Sequence, residues 1–275
     1  MTEIKGKVAV VTGGSSGIGR GIAQQFAANG AHVVIIGRNR EALDEVASEI
    51  GGTAMPGDVT KVDQLVAIAD RIRTEFGQLD VLVNNAGIGP MARLSEMRQS
   101  DWRWLLDTNL WSVINGLEAF LPLMRETTRD GHIVNTSSVN GMSVFPGLGG
   151  YSTTKYAVVG LSEALSAELE QEGRRIKVSV FLPGPVHSNI HEGVRHRSAE
   201  YGAGNLTGTR LEDLDAFANI VVPWMDARLA ADMLIEGVRN NRLYIWTHPE
   251  ISGPILARQE QIALSIKDHE TVVPR

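Results

Sequence analysis

Tyr151 and Lys155 stand four residues apart in the run Tyr151-Ser152-Thr153-Thr154-Lys155, a spacing that stacks a phenol and an ammonium on one face of a helix. Such a pair can move protons. A tyrosine in water, with a pKa of about 10, is a poor acid or base near neutrality, whereas a neighbouring cation favours its phenolate and draws that value toward the working range. The same spacing also arises by chance, with the Tyr packed and the Lys solvated. The elements that must position the pair therefore carry the argument.

Near the amino terminus, Lys7-Val8-Ala9-Val10-Val11-Thr12 is a β-branched run suited to a buried parallel strand. It leads directly into Gly13-Gly14-Ser15-Ser16-Gly17-Ile18-Gly19. Ile18, Ile22 and Phe26 then recur every four residues, and Gly30 stands where a carboxy-terminal cap belongs. Strand, glycine turn and helix thus come in the order of a dinucleotide-binding fingerprint. Glycines let the backbone approach a pyrophosphate, and the helix amino terminus offers unpaired N–H groups to its charge. The cofactor contacts predicted here are Gly13, Ser15, Ser16, Gly17, Ile18 and Gly19.

These residues resemble the short-chain dehydrogenase/reductase family, in its ordinary-length branch, and the resemblance spans most of the chain. Thr12-Gly13-x-x-x-Gly17-x-Gly19 is similar to that branch's cofactor loop. Asn84-Asn85-Ala86-Gly87 is similar to its second hallmark, which supports the central sheet, with Asn85, Ala86 and Gly87 beside the cofactor. Asn109, Ser138, Tyr151 and Lys155 match its catalytic tetrad. Ser138 precedes Tyr151 by 13 residues, the family's usual separation, which selects it over Ser137. Pro183-Gly184 followed by Val186 and Ser188 resembles the segment that holds the nicotinamide carboxamide. Ser188 replaces the usual Thr and keeps the hydroxyl.

The resemblance implies hydride transfer between a nicotinamide cofactor and a carbonyl carbon. Tyr151 is the implied proton donor in reduction and base in oxidation. Lys155 lowers its pKa and binds the nicotinamide ribose, Ser138 hydrogen-bonds the substrate oxygen, and Asn109 holds a water linking Lys155 to solvent.

Composition sets outer bounds. A 275-residue chain can bury one sizeable core, and α/β folds of this length are commonly one domain. The absence of cysteine excludes disulfides, thiolate metal sites and a cysteine nucleophile. Met1 to Gly6 has no apolar signal core, and the longest apolar runs are too short for a bilayer. A cytoplasmic protein without membrane association is expected. With 26 Lys and Arg against 32 Asp and Glu, the net charge of −6 disfavours nucleic acid as a partner.

Strand-like runs at 7–12, 32–37, 53–57, 80–84, 131–137, 175–182 and 243–247 alternate with helix-length segments. This predicts a single-domain Rossmann fold over residues 1–275: a doubly wound, seven-stranded parallel sheet with helices on both faces. Ligands bind at the carboxyl edge of such sheets. Gly13, Asp58, Asn84, Ser138 and Pro183 all lie just beyond predicted strand ends. Residues 187–222 break the rhythm and are expected to form a substrate lid, and a helical extension is expected at about 249–270.

Cofactor choice is read after the second strand, where Gly37-Arg38-Asn39-Arg40 offers a guanidinium and no carboxylate. A 2′-phosphate would be attracted there, so NADP(H) is predicted over NAD(H), with Asp58 and Val59 resembling the family's adenine-side pair. Asp58 could otherwise cap the helix that follows. The predicted substrate pocket uses Ser138 and Tyr151 with Met142, Val144, Phe145, His187, Ile190 and His191, joined by Trp224. Its apolar bulk favours a hydrophobic or aromatic ketone or secondary alcohol. His187 and His191 lack the carboxylates or HExxH pattern of a metal site, so no metal is expected.

Short carboxy-terminal motifs, among them Ser188-Asn189-Ile190 and Leu243-Tyr244-Ile245, are similar to bacterial enzymes of this family that oxidise aryl-ether Cα alcohols. Those enzymes typically carry an acidic residue where this chain has Arg38. The family implies a homotetramer or homodimer, and the apolar face Leu161, Ala164, Leu165 and Leu169 could serve that contact or its own sheet. The rival reading is a regulatory NAD(P)-binding protein on the same scaffold with little turnover, against which the intact tetrad argues.

Overall fold

One parallel sheet organises the chain, formed by β1 (Val8–Thr12), β2 (His32–Gly37), β3 (Thr53–Pro56), β4 (Val81–Asn84), β5 (Gly131–Thr136), β6 (Ile176–Leu182) and β7 (Tyr244–Trp246). The computed structural model describes residues 2–173, 175–213 and 221–270. Within them the strand order is β3-β2-β1-β4-β5-β6-β7, and each strand lies inside its predicted range. The helices are α1 (Gly17–Ala28), α2 (Arg40–Ile50), α3 (Val62–Phe76), α4 (Gln99–Leu106), α5 (Ser112–Thr127), α6 (Gly149–Gln171), α7 (Ala227–Arg239) and α8 (Gly253–Glu270).

Two apolar cores account for the layers. Ala9 and Val11 of β1, with Val33 and Ile35 of β2, face α1, α2 and α7. Val8, Val10, Val34 and Ile36 point the other way, toward α3, α5 and α6. The period-two alternation of a strand thus serves both faces at once, so the strands read as unbroken apolar runs. Burying each such Val or Ile side chain contributes about 1.5–3 kcal/mol. Leu165 and Leu169 of the candidate association face belong to this second core, while Ala164 is exposed and Leu161 half-buried.

The switch in strand order falls between β1 and β4, which both pair in parallel with their neighbours. Crossovers leave the sheet in opposite directions on either side of that point and open a crevice at the carboxyl edge. Around it the 187–222 segment runs as short 3₁₀ turns, Ile190–His196, Ala199–Tyr201 and Leu211–Asp213. A single bridge from Met91 to Thr207 pins it, and another from Val186 to Met225 joins the chain on either side of it. Residues 214–220 of the predicted lid lie outside the described residues. The predicted extension divides into a 3₁₀ turn at Pro249–Ile251 and α8, whose Ile255 is buried and whose Arg258 lies 5.2 Å from the Tyr156 ring. Among the described residues no helix is long and apolar enough to cross a membrane.

Candidate active site

The glycine loop is shaped by what its residues lack. Gly13 adopts a left-handed φ of 67°, and a Cβ on Gly19 would stand 2.1 Å from the Gly13 carbonyl oxygen, so no larger residue fits at the mouth of α1. Ser16 at the amino-terminal cap of α1 accepts no side-chain capping bond, which leaves the first N–H groups of the helix available to an anion. Thr12 ties this loop to β4: its Oγ1 accepts from the N–H groups of Asn85 (2.9 Å) and Ala86 (3.1 Å), while Asn85 Nδ2 donates to Thr12 O (3.1 Å). Asn84 faces inward and donates to Asn135 (2.9 Å), which donates to Ser162 (3.0 Å), locking β4, β5 and α6 together.

Two cavities meet at this edge. The first, of about 440 Å³, is lined by Gly13, Ser15, Ser16, Gly17, Ile18 and Gly19. Arg38, Asp58, Val59, Asn85, Ala86 and Gly87 continue the lining, and Lys155, Pro183 and Ser188 of the predicted set join them. The second, of about 710 Å³, is lined by Ser138, Phe145, His187, Ile190, His191 and Trp224. Tyr151 lines both, Lys155 only the first and Ser138 only the second.

Several predicted contacts lie elsewhere. Gly184 and Val186 border the second cavity rather than the first. Gly184 backs onto the His248 ring, which would meet its Cβ at 2.6 Å. Met142 borders neither cavity, because it packs on Val159, Val180, Leu182 and Trp246. Val144 is 64% exposed and points to solvent. Asp58 does not cap α3. That helix begins at Val62 behind Lys61, and Asp58 instead makes a local turn, accepting from Thr60 N (2.9 Å) and Thr60 Oγ1 (2.8 Å). Asn109 lines neither cavity. It is fully buried in a π-helical turn, Asp107–Trp111, between α4 and α5, the kind of local widening that recurs at functional sites.

Around the pair itself the contacts are specific. Lys155 Nζ donates to the Thr136 carbonyl (2.9 Å) and lies 5.6 Å from the centre of the Tyr151 ring. Ser138 lies beside the phenol; its Oγ donates to the Pro183 carbonyl (3.3 Å) and accepts from Asn140 N (3.2 Å). Burial pushes the Tyr151 phenol up to about 12, against a smaller downward pull from Ser138. Burial also pushes the Lys155 ammonium down to about 8. Sequence reasoning has the cation pulling the phenol down; here desolvation of each lone charge dominates. At neutral pH the phenol holds its proton, ready to act as an acid.

The first cavity also takes walls that the sequence did not point to. Trp104 and Thr108 come from the α4 region, and Glu192, His196 and Tyr201 from the 187–222 segment. Glu192 pairs with Arg195 (3.2 Å). Burial raises the pKa of the Tyr201 phenol, and the negative charge of nearby Asp107 adds to it. Only Thr136 and Ser137, which also line this cavity at the end of β5, could have been found by the rule that ligands sit at the carboxyl edge. Among the described residues no group of three or more His, Cys, Asp or Glu could hold a metal ion.

Comparison with known proteins gives this geometry a family. The model for short chain dehydrogenases matches residues 7–199. A C alpha-dehydrogenase of Sphingobium sp. is 32% identical over 257 residues, 91% of this chain and 83% of that protein. A CLA biosynthesis dehydrogenase/reductase of Lactiplantibacillus plantarum is 30% identical over 271 residues, 95% of each chain. A crystal structure of a short chain dehydrogenase/reductase from Burkholderia phymatum in complex with NAD is 32% identical. It superposes with a TM-score of 0.87 over 96% of this chain and 97% of that one. A sheet wound in this order, a glycine-mouthed first helix and relatives matched over nearly full length have one explanation: this chain belongs to the short-chain dehydrogenase family of oxidoreductases.

Proposed function

We propose that the chain is an NADP(H)-preferring alcohol dehydrogenase and ketone reductase acting on a hydrophobic or aromatic secondary alcohol or ketone. The observation that carries this reading is the position of Tyr151 on the shared wall of two cavities, with Lys155 on one side of it and Ser138 on the other. The glycine mouth and the uncapped start of α1 fit a dinucleotide's pyrophosphate, with Pro183 and Ser188 available to the nicotinamide end. When bound, the nicotinamide gives a hydride to a carbonyl carbon or takes one from a carbinol carbon.

Tyr151 gives its proton to the carbonyl oxygen in reduction and takes the hydroxyl proton in oxidation. Ser138 donates a hydrogen bond to the same oxygen. Lys155 makes the resulting phenolate tolerable, since a buried anion and a buried cation relieve each other's desolvation, and it binds the nicotinamide ribose. A Cβ on Gly87 would stand 3.2 Å from Asn109 Oδ1 and 3.4 Å from Lys155 Nζ. Gly87 thus lets Asn109 and Lys155 close in on the backbone there, and Asn109 would hold the water that links Lys155 to solvent.

The substrate class rests on the second cavity, whose walls are mainly apolar and aromatic, with His187 stacked on Trp224 at 5.3 Å between ring centres. The C alpha-dehydrogenase relative is in keeping with an aryl alcohol. The preference for NADP(H) rests on Arg38, whose guanidinium makes one long bond to the His196 carbonyl (3.4 Å) at the edge of the first cavity. A relative solved with NAD favours NAD(H) as a second reading. We further assign residues 187–222 to a lid within one catalytic domain spanning residues 1–275, and the assembly to a homotetramer or homodimer.

The test is Tyr151→Phe, which removes the proton and keeps the packing. Turnover of aryl ketones with NADPH should fall by at least about 10²-fold while cofactor affinity holds. Near-normal turnover would overturn the assignment, and polyols as the sole substrates in an alcohol and ketone panel would overturn the substrate class.

A further inference from the structure

A short chain of hydrogen bonds joins two parts of the wall of the second cavity, Gly184 and Pro223. Gly184 N donates to Thr247 Oγ1 (2.9 Å), Thr247 Oγ1 lies 2.6 Å from His248 Nδ1, and His248 Nε2 lies 2.8 Å from the Pro223 carbonyl oxygen. A carbonyl can only accept. In the neutral ring Nε2 therefore carries the hydrogen, and Nδ1 accepts from the Thr247 hydroxyl. Every donor along the chain then points toward Pro223. Thr247 and His248 are 1% and 2% exposed, so solvent does not compete for these bonds.

The two ends matter for different reasons. Gly184 follows Pro183, which lines both cavities. Pro223 precedes Trp224, whose ring stacks on His187 at an interplanar angle of 19° in the wall of the second cavity. The backbone there is already paired once, by His187 N to Met225 O (2.9 Å) and Met225 N to Pro185 O (3.0 Å). Those bonds hold Met225 beside Val186 but leave the Pro223 carbonyl to be held by His248.

We infer that His248 is a positioning residue: through Pro223 it fixes the place of Trp224 against His187, and through Thr247 it joins that wall to the segment carrying Pro183. The assignment rests on the proposed substrate cavity, and sequence reasoning had no signal for it. His248 lies 97 positions after Tyr151 and has no motif of its own.

Two substitutions cut the chain at different bonds. His248→Asn keeps an acceptor near Thr247 and is too short to reach Pro223, whereas His248→Gln carries its amide N–H out to where Nε2 stands. With 1-phenylethanol as probe, the Asn variant should raise KM about 5- to 10-fold, with kcat and cofactor KM within about two-fold, the size of one lost hydrogen bond. Backbone deuterium exchange at Met225, which needs no turnover, should accelerate about ten-fold in the Asn variant and stay within about two-fold of the parent in the Gln variant.

Unchanged exchange in the Asn variant, or equal effects of Asn and Gln, would overturn the inference. So would a uniform loss of kcat, cofactor KM and melting temperature, the mark of a merely structural residue. Should the Asn variant fail to fold, Thr247→Val takes its place: the exchange rate at Met225 must rise with the hydroxyl gone, and an unchanged rate counts against the proposal. If the parent protein does not turn over 1-phenylethanol, the proposed substrate class fails, and the exchange comparison still decides the role of His248.

Discussion

Asn109 grips both backbone groups of Ile88: its Oδ1 accepts from Ile88 N at 2.8 Å and its Nδ2 donates to Ile88 O at 2.9 Å. The same Nδ2 lies 3.2 Å from Thr154 Oγ1, one residue before Lys155. The side chain thus fastens the loop after β4 to α6 beneath the proposed proton-transfer pair.

Asn109→Leu would leave buried donors and acceptors at Ile88 without partners. A cost of about 3 kcal/mol is expected, lowering the melting temperature by about 5–10 °C for a domain of this size. Thermal denaturation followed by circular dichroism measures it. An unchanged midpoint would mean that this grip adds nothing to stability.

Lys155 is destabilising where it sits. Its folded pKa of about 8 lies below the ordinary lysine value of 10.5, so between those values the unfolded chain binds more protons than the folded one. Stability therefore rises with pH across that window, and the penalty is fully present below about pH 8. Lys155→Met should abolish turnover yet raise the melting temperature at pH 7, with a stabilisation of at most about 3 kcal/mol. The gain should shrink by pH 10. A melting point that falls by several degrees at pH 7 would contradict the argument.

The same value sets a kinetic expectation. For ketone reduction, kcat/KM reports groups in the free protein, and it should decline as pH rises through about 8, where Lys155 loses its charge. The Tyr151 phenol, pushed up to about 12, keeps its proton throughout this range. A pH-rate profile flat from pH 7 to 10 would exclude Lys155 as the group that titrates.

Arg38→Ala should raise KM for NADP(H) about 10- to 100-fold, the worth of a charge-assisted hydrogen bond to phosphate, and leave KM for NAD(H) within about two-fold. Steady-state kinetics with both cofactors reads this directly. Equal losses with the two would indicate that Arg38 supports the fold of the loop and not the choice of cofactor.

The carboxylate of Asp101 anchors the 187–222 segment. It pairs with Arg197 Nη1 (2.6 Å), their side chains being 0% and 11% exposed, and accepts from the N–H groups of Arg98 (2.9 Å) and Asn205 (3.0 Å). Burial alone would push this carboxyl up. The two backbone donors and the guanidinium outweigh it and hold the pKa below the ordinary aspartate value of 3.8. The resulting stabilisation is present above that value and is lost as pH falls through the lower folded one. Arg197→Met strands a buried charge, which costs about 3 kcal/mol, and limited proteolysis should then cut within residues 198–205. Resistance equal to the parent protein would show that the segment is held elsewhere.

Local chemistry made much of this legible in the sequence. Buried parallel strands are continuous β-branched runs, so their ranges can be read directly, and the glycine turn between β1 and α1 is marked by residue type alone. Tyr151 and Lys155 share a face of α6 because helix geometry puts them there whatever surrounds it. The ends of β4, β5 and β6 likewise had to gather at one edge once the connections were parallel crossovers.

Distances through space were set by packing between segments far apart in the chain. Phe145 reaches the second cavity while Met142 and Val144, a few positions away, do not; nothing in their types separates them. Whether Gly184 faces cofactor or the His248 ring depended on the path of the chain after β7. The proton affinities of Tyr151 and Lys155 were decided the same way. The sequence supplies the neighbouring charge, but burial depends on how the fold excludes water, and in this fold desolvation outweighs the partner.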